Sequence, residues 1–249
     1  MPYRPTPTES QSPAVETFLL GRIGYQTCLD FQRRLVQRAT QRDDGQIVLL
    51  LCEHPEVITV GRGGSLSQLA RERRLLRTRE IEVQWVNRGG GCMLHCPGQL
   101  AIYPIIPLRW HGFSVGEYLR RLQAALVETL DELGVSVHTL PGRYGIWGRT
   151  GQLATVGVAV RDWVTWHGAF LNVCPSMGLF RLVETDPIGH TSMSCLVAER
   201  CGPVRMPTVR AALVRRLAEA FGCDRYHMYT GHPWLRRVTA GSQMADRES

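Results

Sequence analysis

The sequence predicts an α+β fold, a mixed and largely antiparallel sheet with helices packed on one face. Three observations predict it. Short apolar runs of strand length recur along the chain, at 16–23, 47–51, 81–86, 100–106, 135–140, 144–147, 152–160 and 163–173. Helical periodicity is confined to three stretches, which is too few for a regular alternation of strands and helices. The runs 152–160 and 163–173 follow one another closely and read as an antiparallel pair.

Taken in order, residues 1–15 carry Pro2, Pro5, Pro7 and Pro13 among Thr and Ser and read as a flexible tail. Tyr25 to Ala39 has apolar residues at 25, 28, 29, 35, 36 and 39 with arginines between, so a helix is expected. Asp43-Asp44-Gly45 is a turn, and Ile47 to Leu51 is a continuous apolar run of the kind a buried strand shows. Arg71 to Arg79, R-E-R-R-L-L-R-T-R, reads as a solvated face and as a docking patch for an acidic partner. Ser114 to Gly134 is the strongest helix. Ser114 and Glu117 form a capping box, Val115, Tyr118, Leu119, Leu122, Leu126, Leu130 and Leu133 trace one stripe, and Gly134 ends it. Gly148-Arg149-Thr150-Gly151 is a hairpin turn, and Thr208 to Phe221 is an amphipathic helix closed by Gly222. From Gly231 the chain is polar. One domain over 16–230 with a polar tail at 231–249 is expected.

Composition narrows the function. The 249 residues are 44% hydrophobic and 20% charged, enough for one sizeable core. Net charge is +7, and all 29 basic residues counted as Lys plus Arg are arginine. No lysine chemistry is therefore open to this chain. The basic surface suits an acidic partner, but arginine runs without interleaved aromatics do not point to nucleic acid. The eight cysteines form no C-x-x-C, no apolar run is long enough to span a bilayer, and the first residues do not form a signal peptide. Reduced cysteines and a cytoplasmic location are expected.

The candidate site is Asn87 to Leu108, N-R-G-G-G-C-M-L-H-C-P-G-Q-L-A-I-Y-P-I-I-P-L. Gly89, Gly90 and Gly91 let the backbone approach a ligand and offer N–H groups to an oxyanion or an acyl carbonyl. Arg88 adds a fixed positive fork, and His95 follows. Cys92, His95 and Cys96 also raise the question of three metal ligands, for which no fourth presents itself. Cys92 and Cys96 flank His95, and a thiol at either, near Arg88 and His95, is a candidate nucleophile.

The order R-G-G-G-x-x-x-H-x-P-G-Q resembles the lipoyl(octanoyl) transferase family, in which it reads R-G-G-x-x-T-Y-H-G-P-G-Q. Arg88, Gly89, Gly90, His95, Pro97, Gly98 and Gln99 match, while Met93, Leu94 and Cys96 replace Thr, Tyr and Gly. The resemblance extends over about 20–225. It takes in Glu53-His54-Pro55-x-Val57-x-Thr59-x-Gly61-Arg62, Gln152 to Val158 against K-I-A-A-I-G-V, and Thr165 to Val173 against T-x-H-G-x-A-L-N-V.

That resemblance implies the biotin/lipoyl protein ligase fold and transfer of octanoyl from acyl carrier protein to a lipoyl-domain lysine. The acceptor would be a lipoyl domain of a 2-oxoacid dehydrogenase or the glycine cleavage H protein. No metal, no cofactor, no membrane and a monomer are expected. The resemblance implies a cleft lined by Arg88, Gly89, Gly90, Gly91, Cys92, Met93, Leu94, His95, Thr155, Val156, Gly157, Gly168, Ala169 and Phe170.

The family's acyl-bearing cysteine falls on Asp186 and its lysine on Gln152. With His95 these are the catalytic positions the resemblance gives. An aspartyl adduct would be a mixed anhydride, higher in energy than the thioester it came from, so Asp186 serves at most as a base. Glutamine positions a carbonyl but moves no proton. Two readings follow: a transferase acting without an acyl-enzyme, and an inactive relative that binds an acyl chain, acyl carrier protein or a lipoyl domain. His167 and Asn172 are five apart, so alternation along a strand places them on opposite faces.

Overall fold

The computed structural model describes residues 14–42, 44–72, 80–183 and 192–235. Seven strands form one sheet in the order β10 (Tyr226–Thr230), β1 (Val15–Arg22), β2 (Ile47–Glu53), β6 (Gln99–Ile105), β9 (Val164–Asn172), β8 (Gln152–Arg161) and β7 (Gly145–Trp147). β1 runs parallel to both its neighbours, and every other pair in the sheet is antiparallel. A second sheet holds β4 (Glu82–Trp85), β3 (Val57–Val60) and β5 (Cys92–His95). The expected mixed, largely antiparallel architecture is present.

Helices cover both faces of the large sheet, not one. Alternation in the strands explains why. Leu49, Leu51, Leu100, Ile102, Ala169 and Leu171 point to one face. There they pack on α3 (Val115–Glu132) and α5 (Met206–Ala220), through Leu122, Leu126, Leu130, Leu213 and Leu217. Leu50, Cys52, Ala101, Tyr103, Ile105 and Phe170 point the other way, onto Cys28, Leu29, Leu35 and Val36 of α1 (Tyr25–Arg42). These strands are apolar on both faces, which is the pattern of a sheet buried on both sides. Two short helices, α2 (Leu108–His111) and α4 (Leu196–Arg200), lie in connections.

The cap of α3 is as expected on one side: Glu117 N donates to Ser114 Oγ at 3.1 Å, while the Glu117 carboxylate pairs with Arg121 instead of returning to the cap. The strand expected at 135–140 is reduced to a single bridge between His138 and Trp147. Strand β10 has no counterpart in the sequence reading, because its residues are exposed and carry no apolar alternation. The C-terminal boundary also moves. Gly231 N donates to Leu19 O, His232 is 7% exposed, and its ring packs on Phe18 and Phe31, so 231–235 belongs to the domain.

Candidate active site

The small sheet holds the glycine loop. Val57-Ile-Thr-Val60, all buried, forms β3 and pairs antiparallel with β5, so that Val57 faces His95 and Thr59 faces Met93. Gly61, Arg62 and Gly63 donate their N–H groups to the carbonyls of Gly91, Arg88 and Gly90 at 3.1, 3.0 and 3.0 Å. A Cβ on Gly61 would lie 2.5 Å from Gly90 O and 2.8 Å from Arg88 Nη1, so only glycine permits this approach. Gly89 N donates to Val158 O at 2.9 Å and ties the loop to β8 of the large sheet.

Arg88 is fully buried. Its Nε and Nη2 reach Thr59 Oγ1 at 3.3 and 2.7 Å, Nη2 also reaches Thr59 O at 2.9 Å, and Nη1 reaches Gly89 O at 3.0 Å. No carboxylate pairs with it among the described residues. Burial lowers its pKa, although arginine stays charged. A buried, unpaired guanidinium favours an anion or a developing oxyanion beside it. Nη1 sits among glycines: a Cβ on Gly61, Gly90 or Gly157 would lie 2.8, 3.5 or 3.6 Å from it.

His95 is the other end of the Thr59 bridge. Its Nε2 lies 2.8 Å from Thr59 Oγ1 and its Nδ1 3.0 Å from Gln99 Oε1. Gln99 Nε2 donates to Leu94 O, which can only accept, so Oε1 faces the ring and Nδ1 carries the proton. Nε2 then accepts from the Thr59 hydroxyl. Burial, with help from His54 and Arg88, holds its pKa well below the usual imidazole range. Gln99 Nε2 also donates to Asn172 Oδ1 at 2.9 Å, and Asn172 Nδ2 donates to Ser194 O at 3.0 Å. The polar chain thus runs Arg88, Thr59, His95, Gln99, Asn172, Ser194.

Alternation along β5 splits the expected lining. Met93 and His95 face this chain and the α1 side. Cys92, Leu94 and Cys96 point into a third core cluster with Ile58, Val60, Leu179 and Phe180. Cys92, His95 and Cys96 therefore do not assemble as metal ligands. Nor is either thiol activated. Burial, with the nearby Glu56, pushes Cys96 up to about 12, and burial also raises Cys92, whose Sγ contacts Ser65 O.

The β8 and β9 segments divide in the same way. Thr155 Oγ1 contacts Met93 Sδ at 3.4 Å, Gly157 lies against Gly89 and Arg88, and Phe170 packs its ring 4.3 Å from that of His95. Gly168 pairs with Gly157 across the two strands, and a Cβ there would lie 2.1 Å from Ile102 O. Val156 and Ala169 turn to the opposite face of the sheet, against α3 and α5, and are not part of the site. The loop, Thr155, Gly157 and Phe170 come together, and Phe170, 1% exposed, fills space there.

His167 is the residue the sequence reading set aside. Its φ is +54°, an irregularity that breaks the strand's alternation. Its N–H donates to Gln32 Oε1 at 2.8 Å, and its ring is fully buried with neither nitrogen hydrogen bonded among the described residues. Burial first, then Arg88, Arg33 and Arg62, bring its pKa down to about 3. Nothing in the sequence signals that φ; the only clue is the histidine within the family-like T-x-H-G pattern.

Gln152 is 7% exposed, and its side-chain amide donates to Ala154 O at 3.1 Å. Its backbone is bonded on both sides, Gln152 N to Ser192 O and Ser194 N to Gln152 O, which places it next to the Asn172–Ser194 end of the polar chain. Asp186 lies outside the described residues, and so do the side chains of Arg71–Arg79.

Comparison with known proteins agrees with this architecture. The model of the lipoyl protein ligase A/B catalytic domain matches residues 24–218. The chain is 45% identical over 165 residues to an octanoyltransferase of Geobacter sp. strain M21, covering 66% of this chain and 76% of the relative. It is 33% identical over 229 residues to that of Roseiflexus sp. strain RS-1, covering 90% and 94%. Among solved structures it is similar to the bipartite lipoate protein ligase of Thermoplasma acidophilum, with a TM-score of 0.70, 15% identity and 88% of each chain covered. It is similar to lipoate-protein ligase A bound with ATP, with a TM-score of 0.69, 16% identity, and 89% and 90% covered. The chain belongs to the lipoyl protein ligase A/B catalytic domain family, on the side of its octanoyltransferases.

Proposed function

We propose that this protein transfers an octanoyl group from acyl carrier protein to a lysine of a lipoyl domain, by direct attack with both substrates bound. The observation that carries this reading is the buried Arg88, held by Thr59 and His95 within the glycine loop and lacking a carboxylate partner among the described residues. The thioester carbonyl would lie at Arg88 Nη1 and the N–H groups of Gly90 and Gly91. The lysine amine adds to the carbonyl carbon, and the tetrahedral oxyanion is held by these donors. The C–S bond then breaks, the amine proton passes to the departing thiolate, and an amide and a free carrier thiol result. His95 has both ring nitrogens occupied and acts by positioning Arg88. His167, whose ring nitrogens have no partner among the described residues and whose charged form burial and Arg88 disfavour, is the acceptor that would orient the amine. Asp186 contributes at most as a base. The arginine-rich surface, including Arg71–Arg79, suits an acidic carrier. Action as a monomer in the cytoplasm fits the expected reduced cysteines, and no helix among the described residues is long and apolar enough to cross a membrane.

A second reading, a relative that binds these partners without turnover, draws support from one observation. Gln152, where the family has lysine, spends its amide on Ala154 O. The two are separated by mixing the protein with octanoyl-acyl carrier protein and an apo lipoyl domain and recording intact masses. Direct transfer gives an octanoylated lipoyl domain, no octanoyl adduct on this protein when the acceptor is left out, and sequential kinetics. An adduct formed without acceptor refutes the direct route. Failure of transfer, with both partners still bound, establishes the second reading.

A further inference from the structure

Behind the glycine loop, where α1 meets the end of β2, three metal-ligating side chains converge. Cys52 and His54 are two apart, so an extended backbone points both to the α1 side, and Cys28 comes up from α1 to meet them. Cys28 Sγ and Cys52 Sγ are 3.9 Å apart, Cys52 Sγ and His54 Nε2 are 3.6 Å apart, and all three donor atoms lie within 4.8 Å of one another. All three residues are at most 1% exposed.

We propose that Cys28, Cys52 and His54 form a structural zinc site that clips α1 to the sheet. Four lines of geometry and chemistry support it. Tetrahedral zinc with bonds of about 2.3 Å to sulfur and about 2.0 Å to nitrogen sets its sulfurs roughly 3.8 Å apart and sulfur and nitrogen roughly 3.6 Å apart. The Cys28–Cys52 and Cys52–His54 separations match. His54 Nδ1 lies 2.8 Å from Ile23 O, which can only accept, so Nδ1 carries the proton and the Nε2 lone pair is left between Cys52 Sγ at 3.6 Å and the Tyr103 hydroxyl at 2.7 Å. A backbone carbonyl fixing the tautomer of a histidine ligand is the usual outer-shell arrangement at such sites. The Tyr103 hydroxyl donates to Nε2 at 2.7 Å; nitrogen and oxygen ligands of one tetrahedral zinc lie roughly 3.3 Å apart, so Tyr103 Oη takes the fourth position only after drawing back by about 0.6 Å. Finally, two thiolates and a neutral imidazole balance a dication in charge, as a fully buried site requires, whereas a monovalent metal would leave a net negative charge. The two cysteines are 24 positions apart on different elements, so the site closes as α1 docks. Tyr25 of α1 lies between this cluster and the active site, with its ring 5.1 Å from that of His54 and 5.2 Å from that of His95.

The test uses the full chain, reduced, equilibrated with zinc and then desalted. About one zinc per chain is expected by elemental analysis. It should fall to background in Cys28→Ala and in Cys52→Ala and be retained in Cys201→Ala, which alters an exposed cysteine. Where either core variant fails to fold, the unaltered chain decides: loaded with cobalt(II), it should show thiolate-to-metal charge-transfer absorption and the strong visible bands of tetrahedral cobalt. Chelation of the zinc form should lower Tm. No retained zinc, zinc unchanged in both core variants, or cobalt binding without thiolate charge transfer would each overturn the proposal. So would an intact mass short by two hydrogens with no metal, which marks a Cys28–Cys52 disulfide.

Discussion

His95 and His167 are two histidines buried near Arg88, and they are opposites. His95, on β5, has a partner on each ring nitrogen, Thr59 and Gln99. His167, on β9, has none on either among the described residues. One burial is compensated and the other is not. A buried polar group without a partner costs stability, and the orienting role proposed for His167 would give its ring the partner it lacks, whereas His95 already has both of its own.

The largest expected effect tests His167. Its pKa is about 3 in the folded chain and about 6.5 unfolded, so the folded state resists protonation. Its contribution is complete above the unfolded pKa. It is lost as pH falls from about 6.5 towards 3, because only the unfolded chain takes up the proton there. The full loss is roughly 4–5 kcal/mol at 1.36 kcal/mol per pKa unit. The groups that hold the pKa down besides burial are Arg88, Arg33 and Arg62. Urea unfolding at a series of pH values should show this slope, and His167→Asn should flatten it. An unchanged slope in the variant would mean that His167 is not buried as a neutral ring.

The next effect falls on the other histidine. Thr59→Val keeps the shape of the side chain and removes the hydroxyl that joins Arg88 to His95. Each buried partner left unsatisfied costs about 1–3 kcal/mol. Arg88 Nη2 keeps its bond to Thr59 O, so the loss should lie near about 3 kcal/mol in total rather than at the sum of the extremes. Octanoyl transfer should fall on the order of 100-fold through misplacement of the guanidinium. Full activity in this variant would show that His95 and Thr59 do not position Arg88.

How much of this was legible follows from what each residue depends on. Arg88, the glycines and His95 were readable because their chemistry is carried by residue type and spacing. Gly157 and Phe170 came with the resemblance of 152–158 and 165–173 to the family's stretches. The rest turns on strand alternation. Along 92–96 it sends Cys92, Leu94 and Cys96 away from His95, and along β8 and β9 it sends Val156 and Ala169 to the other face. At His167 a φ of +54° suspends it. Helices on both faces were likewise implicit in Leu49-Leu50-Leu51-Cys52, a run that is apolar in both directions. The convergence of Cys28 with Cys52 and His54 had no local signal, since it depends on how α1 docks.

The smallest expected effect concerns Cys96, the thiol next in sequence to His95. It is 1% exposed and packs with Leu94, Ile58, Leu179 and Phe180 on the face of β5 opposite His95. With its pKa pushed up to about 12, a thiolate is a negligible fraction of the population near neutral pH, and the thiolate is the nucleophile. Cys96→Ala removes one buried sulfur, a change in the range of about 1 kcal/mol, and should leave octanoyl transfer within about twofold of the unaltered chain. Neither chain should carry an octanoyl group after incubation with octanoyl-acyl carrier protein alone. The informative failure is specific: an adduct on the unaltered chain that disappears in Cys96→Ala. Strand β5 would then have to turn over so that Cys96 faces Arg88, and the alternation that separates His95 from its neighbours would not hold in the working enzyme.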